Sequence, residues 1–342
     1  MIKKLITFIL LTLVFSLGTA GCGTALQPAD LRVPAPVTEE GMTLDWGMDV
    51  KQQALSLINH SQKNCYLDIY ELSDPDILAA LTKAHTRGVD VRVIVDAKEK
   101  NSQQKGLPVL QRAGVPVSSL TISHGISHIK MLWVDGQAVI GGMNFGAGSW
   151  NNNDASVFLT HPNPSFLALF RWDWARSHGA AAAAPSFQEP LINERTAQQH
   201  VIQAIQSAHQ QVAMEAFNLS DWGVLNAIKA AARRGVQVEV LLDPGQANNR
   251  KSAAELQAAG VITRFYRPYE GEWMHAKILD IDHGQTFIIG SANFSHQAYT
   301  YNHEGDIELH QVTLFGKSLE DNLAVQVSRG TDYPVHSQRY GT

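Results

Sequence analysis

Cysteine is almost missing from this chain: two residues in 342, at positions 22 and 65. Cys22 ends an N-terminal apolar run, which leaves only Cys65 for the folded body. No disulfide framework can hold such a protein together, and Cys65, in an apolar run, reads as a buried thiol. Positive charge is not in excess either. Lys and Arg number 27 against 32 Asp and Glu, a formal net charge of −5. Without Lys3 and Lys4, which lie in a segment expected to be removed, 25 basic residues face the same 32 acids and the charge is −7. A broad basic face for tracking nucleic acid is therefore not suggested, although a local basic pocket is compatible with these numbers. No metal-ligand cluster is visible, so neither a metal nor a cofactor is expected. With 44% hydrophobic and 17% charged residues, the composition is that of a packed globular chain and excludes disorder. The length allows two domains or one large duplicated one.

The chain opens on Met1-Ile2-Lys3-Lys4, followed by an apolar run from Leu5 to Leu17 and small residues before Cys22. A basic start, a short apolar stretch and small residues before a cut are the layout of a secretory signal, here residues 1–21. The alternative is an uncleaved membrane anchor, but the run is short for a spanning helix, which favours cleavage. Ala20-Gly21-Cys22 resembles a bacterial lipoprotein signal, with Thr19 where Leu is usual. That resemblance implies export to the cell envelope and anchoring to a membrane through a lipidated Cys22, with plain secretion as the alternative. Thr24 to Thr43 is rich in Pro, Ala and Thr without a period, so residues 22–45 read as a tether.

What the sequence does contain is a repeat. Gln52–Asp74 lies on Gln199–Asp221 without a gap, and Leu72-Ser73-Asp74 matches Leu219-Ser220-Asp221. At the same offset Gly88 meets Gly235, Asp96 meets Asp243, His128 meets His275 and Lys130 meets Lys277. So constant an offset marks a duplication. In each copy a short apolar segment (Cys65–Tyr70, Val212–Phe217) reads as a strand. Asp74-Pro75 then caps and opens a helix that Gly88 closes, and the second copy repeats this from Asp221 to Gly235. Val89–Asp96 and Val236–Asp243 read as strands of a sheet covered on both faces. Strand, helix and strand in this order argue for an α/β fold. The copies span residues 46–178 and 187–330, joined by an alanine-rich linker at 179–186 and followed by a tail at 331–342.

Each copy carries a polar motif. Ser127-His128-Ile129-Lys130 leads to Asp135 and then Gly141-Gly142-Met143-Asn144; Met274-His275-Ala276-Lys277 leads to Asp282 and then Gly290-Ser291-Ala292-Asn293. His and Lys two apart on a strand share a face. A neighbouring strand brings the Asn alongside. These groups suit a phosphodiester: Lys supplies positive charge, while Asn144, Asn293 and Ser291 supply donors to its non-bridging oxygens. One imidazole can attack phosphorus and the other can protonate the leaving oxygen, so two motifs provide both roles without a metal. A lone His-x-Lys carries no such meaning; His60, His85, His209 and His296 receive no functional reading. The joint repetition carries the argument.

From Gln52 to Gln311 this pattern resembles the phospholipase D superfamily, whose signature is His-x-Lys, four residues, Asp, then a Gly-rich turn with Ser and Asn. The resemblance implies two similar sandwich-like repeats, each a mixed sheet flanked by helices, with one active site at their interface. It implies a covalent phosphohistidine, with His128, Lys130, Asp135, His275, Lys277 and Asp282 as the motif residues and Asp154 and Glu304 as carboxylates that orient the imidazoles. Asp135 and Asp282 read equally well as turn-forming acids at strand ends. Gly142 stands where the family often has Ser, expected to weaken a phosphate contact. Two extra residues between Asp282 and Gly290 are expected to lengthen a hairpin.

Such proteins cut or exchange phospholipid head groups, join lipids into cardiolipin, or cleave nucleic acid. Trp273, Tyr266, Tyr269 and Trp150 are candidates for an acyl or head-group pocket or a membrane interface; Trp172 and Trp174 read as packing residues. A lipid tether and an acidic mature chain lean to phospholipid, with no obligate protein partner indicated. A metal-independent endonuclease or cardiolipin-synthase-like phosphatidyl transfer is the enzyme alternative, and a surface binding protein with a decayed site the non-enzyme one.

Overall fold

The computed structural model describes residues 32–334. The signal segment, Cys22 and the first part of the proposed tether lie outside the described residues. The first half runs β1 (Val37–Glu39), β2 (Met42–Trp46), α1 (Met48–His60), β3 (Asn64–Ile69), α2 (Pro75–Thr86), β4 (Asp90–Asp96), α3 (Leu107–Arg112), β5 (Val117–Leu120), β6 (Lys130–Val134), β7 (Gln137–Gly141), β8 (Ala155–Leu159) and α4 (Pro164–Ser177). The second runs β9 (Leu191–Asn193), α5 (Glu194–Ser207), β10 (Gln211–Ala216), α6 (Trp222–Arg233), β11 (Gln237–Leu242), α7 (Ala247–Ala258), β12 (Ile262–Phe265), β13 (Lys277–Ile281), β14 (Thr286–Gly290), α8 (His296–Thr300), β15 (Gly305–His310) and α9 (Thr313–Arg329).

Each half builds one mixed sheet. The first has the order β1-β2-β8-β7-β6-β3-β4-β5 and the second β12-β11-β10-β13-β14-β15-β9. In both, the strands joined through helices pair in parallel and the hairpin strands pair antiparallel. The α/β expectation of two mixed sheets flanked by helices therefore holds. The inner faces meet in a shared core that takes Met131 and Ile140 from one sheet and Ile278 and Ile307 from the other. On the outer faces, α1 and α2 cover the first sheet, and α5 and α6 the second. Successive residues of β6 serve both layers: Met131 and Trp133 enter the shared core, Leu132 and Val134 the outer one. This two-residue period explains why these strands are apolar throughout.

Local chemistry fixes the elements as expected. Asp74 accepts from the Asp76 and Ile77 amides at 2.9 and 3.0 Å, and Pro75 opens α2. A cap of this kind contributes about 1 kcal/mol. Asp221 repeats it through the Val224 amide at 3.0 Å. The added residues after Asp282 do lengthen a turn: β6 and β7 are joined by Asp135-Gly136, β13 and β14 by Asp282 through Gln285. One boundary needs correcting. Residues 37–45, assigned to the tether, belong with Trp46 to β1 and β2 and the turn between them, and β2 pairs along its length with β8. Residues 180–188 have no regular structure.

Candidate active site

The two histidine motifs come together where the halves meet. β6 starts at Lys130 and β13 at Lys277, so His128 and His275 stand two residues ahead of the strands rather than within them. Short bridges hold these segments across the interface. The His128 amide donates to the His303 carbonyl at 2.8 Å, and the His275 amide to the Asn153 carbonyl at 2.9 Å. Asp96 and Asp243, at the ends of the parallel strands, brace the same segments by accepting from the Ser127 amide at 2.7 Å and the Met274 amide at 3.2 Å. The repeat had marked both aspartates, without a role.

The side-chain pairing is crosswise. Nδ1 of His128 lies 2.9 Å from Glu304 Oε2, in the other half, and Nδ1 of His275 lies 2.6 Å from Asp154 Oδ2, likewise in the other half. With Nδ1–H donated to a carboxylate, Nε2 is the nitrogen each imidazole has for phosphorus or a proton. Glu304 also accepts from Ser291 Oγ at 2.6 Å and from Asn302 Nδ2 at 2.9 Å. Burial would raise its pKa, but His128, Lys130 and Ser291 together hold it down to about 2. Asp154 is likewise held below the usual range against its burial, by His275 and Lys277. Burial lowers both histidines, His275 to about 4 with help from Lys277. Both are therefore neutral at neutral pH.

The lysines are buried beside them. Lys130 Nζ donates to the His128 carbonyl at 2.6 Å, and Lys277 Nζ lies 3.0 Å from Nδ1 and 3.1 Å from Nε2 of His275. Burial pulls them down to about 7 and 8. Lys130 and Lys277 thus stand desolvated against the carboxylates of Glu304 and Asp154 and beside neutral imidazoles, and they are the positive groups an entering anion would meet. Aromatic rings that the sequence did not single out help contain them: Lys130 faces Tyr70 at 5.1 Å and Lys277 faces Phe217 at 4.8 Å. Tyr70 and Phe217 keep the repeat's constant offset, which was the available signal. The Oδ1 atoms of Asn144 and Asn293 are buried without a hydrogen-bond partner. A cavity of about 410 Å³ opens beside His275, lined among others by Arg32, Glu71, Asn144 and Trp273. Trp273 is 54% exposed there and stacks on Phe217, while Trp150 is buried with its N–H on Asp74 at 2.9 Å. Among the described residues, no group of three or more His, Cys, Asp and Glu is arranged to hold a metal ion.

Three expectations change. Asp135 and Asp282 are not brought to the site: each follows the far end of its strand, five residues after the lysine and about 16 Å away along the chain. Asp135 accepts from the Gln62, Lys63 and Asn64 amides at 2.6–2.9 Å, and Asp282 from those of His209, Gln210 and Gln211 at 2.7–2.9 Å. They tie a hairpin to the start of a neighbouring strand. Asp135→Ala is therefore expected to cost about 1–2 kcal/mol of stability in a denaturant titration while kcat stays within twofold of wild type. A folded variant with tenfold lower kcat would return Asp135 to the chemistry. Ser291 was expected to contact phosphate, but its single O–H donates to Glu304. Gly142, at the matching position, is where a Cβ would stand 2.2 Å from Asp154 Oδ1. The departure thus concerns the orienting carboxylate and not a phosphate contact.

The family model described as cardiolipin synthase, PLD-like domain matches this chain twice, over residues 54–174 and 201–321, more than half of its length. Phospholipase D of Rickettsia felis is 33% identical over 103 residues, 30% of this chain and 51% of that protein. Cardiolipin synthase of Clostridium perfringens is 23% identical over 326 residues, covering 80% of this chain and 67% of that one. The chain spans about half the length of the first curated relatives it matches. Among solved structures, phosphatidylserine synthase of Haemophilus influenzae superposes with a TM-score of 0.67 at 12% identity, over 89% of this chain and 90% of that one. At that identity the likeness is one of fold.

Proposed function

Since the chain belongs to the family of cardiolipin synthase, PLD-like domains, in two copies, we propose that its halves form one centre that cleaves or exchanges the head-group phosphodiester of phospholipids. The observation that carries this reading is the crosswise pair of imidazole–carboxylate contacts with two buried lysines between them. Lys130 and Lys277 hold the phosphodiester anion, and Asn144 and Asn293 orient their amides toward it. The anion's charge offsets the lysines and raises the proton affinity of the imidazole that acts as acid. Nε2 of one histidine attacks phosphorus as the bond to the leaving oxygen breaks, and the other histidine gives that oxygen its proton. Water or an alcohol then breaks the P–N bond, returning its proton to the second histidine. Glu304 and Asp154 stabilise whichever imidazole carries charge.

Phospholipid is favoured over nucleic acid by the cavity beside His275. Glu71, Glu270 and Glu272 line it against one arginine, Arg32, which pairs with Glu270 at 2.9 Å. Such a lining opposes the flanking phosphates of a polynucleotide. Exposed Trp273 at its mouth suits a membrane interface. Lipidation of Cys22 in the cell envelope is part of the same proposal, and would bring the site to its substrate.

Incubating the purified protein with phosphatidylglycerol or phosphatidylcholine and a primary alcohol is expected to yield the phosphatidyl-alcohol at the expense of phosphatidic acid. EDTA is expected to leave the rate unchanged, and DNA to be cut only in traces. Robust DNA cleavage, falling steeply with salt and without any phosphatidyl product, would overturn the substrate while leaving the two-histidine chemistry.

A further inference from the structure

Beneath each half of the site lies a buried polar network that the chemistry above does not use. His303, the residue before Glu304, is 2% exposed and places Nε2 2.9 Å from Asp173 Oδ2 and Nδ1 3.4 Å from Glu194 Oε2. Asp173 also pairs with Arg176, and the Trp172 ring stands edge-on to His303 with centroids 5.5 Å apart. Asp68, on β3, faces Asp173; burial and that neighbour push its carboxyl well above the usual range. The other half holds amides in the same places. Asn153, the residue before Asp154, donates to Glu215 at 2.7 Å, and Asn322 donates to Asn153 and to Glu215 at 2.8 Å. Asp68 and Glu215 correspond in register, opposite Met131 and Ile278. Burial raises Glu215 to about 8, so that network is neutral. One half rests on charge and the other on amides.

Both networks reach the reacting groups through the main chain. The His303 carbonyl accepts from the His128 amide at 2.8 Å, and the His303 amide donates to Ile126 at 2.9 Å. We propose that His303 is a positioning residue for the His128–Glu304 pair: pinned between Asp173 and Glu194, it fixes the Asn302–Glu304 segment against Ile126–His128. The groups that face it are Asp173 and Arg176 from α4, Glu194 from α5 and Asp68 from β3. Burial opposes its charge, but Asp173 and Glu194 outweigh burial and hold its pKa up to about 10. The inference rests on reading His128 and Glu304 as members of the reacting site.

The pseudo-symmetry supplies the test. His303→Asn leaves Glu194 without its cation and Asp173 with Arg176 alone; adding Asp173→Asn rebuilds the pair that Asn153 and Asn322 already form. In 15N-labelled protein at pH 8, the His303 ring is expected to be doubly protonated and His128 to show a strongly downfield Nδ1–H. His303→Asn should lose that His128 signal while the His275 signal stays, and should lower kcat on a soluble aryl phosphodiester at least tenfold with KM within twofold. The double variant should recover both. A His128 signal unchanged in His303→Asn would overturn the proposal, as would a stably folded double variant that recovers nothing. If His303→Asn does not fold, the double variant alone decides: a retained His128 signal supports the role and its loss overturns it. Absence of turnover in the wild type would remove the phosphodiesterase reading, whereas the resonances would still decide the positioning.

Discussion

Replacing His128 with alanine is expected to lower turnover by about 10⁴-fold or more, and replacing His275 to do the same. The imidazole that each variant loses is the one oriented by a carboxylate of the opposite half, at 2.9 and 2.6 Å. Nucleophile and acid act as a unit, so the double variant is expected to be no slower than either single one. The two losses differ in kind. Only one of the two variants should fail to form an acid-labile phosphoenzyme when quenched after a labelled substrate with a good leaving group. Turnover above a hundredth of wild type in either variant would remove that histidine from the mechanism. Labelling retained equally in both would remove the covalent step.

The second large effect concerns the carboxylates. Glu304→Gln and Asp154→Asn keep the side chain's shape and remove its charge, and each is expected to lower kcat by about 10³–10⁴-fold. The cause lies in the contacts at 2.9 and 2.6 Å to Nδ1. An amide can present its nitrogen to Nδ1 and so stabilise the wrong tautomer, and it cannot support an imidazolium. Glu304→Gln also frees the Ser291 hydroxyl from its strongest acceptor. Thermal melting should show both variants folded. Either one retaining a tenth of wild-type kcat would mean that the imidazoles are oriented by something else.

Much of this is legible in the chain. The constant offset from His128 to His275 is enough to reveal the two halves, and Asp74-Pro75 places α2 because capping is a local matter. Asp154 and Glu304 are found by resemblance, but their crossing is not, since contacts 176 and 121 residues apart leave no trace in local pattern. β1 and β2 are legible only in part: Met42-Thr43-Leu44-Asp45-Trp46 alternates apolar and polar residues, but so short a run after a Pro-rich stretch is marked as strand only by its pairing with β8. Ser291 looks like a phosphate ligand because a hydroxyl's direction is not written in sequence. His303 passes for a spacer within Tyr301-Asn302-His303-Glu304, and only Asp173 on a distant helix reveals its use.

The unlike carboxylate sockets have a consequence for direction. Two identical halves about a twofold axis would accept a phosphodiester either way round, and each histidine would be nucleophile in half of the encounters. Here one imidazole leans on Glu304 with Ser291 at its back, and the other on a shorter Asp154 packed over bare Gly142. The cavity, too, opens beside His275. The two orientations of a phosphodiester that a true twofold would make equal are therefore unequal in this site, and its two ends stop being interchangeable.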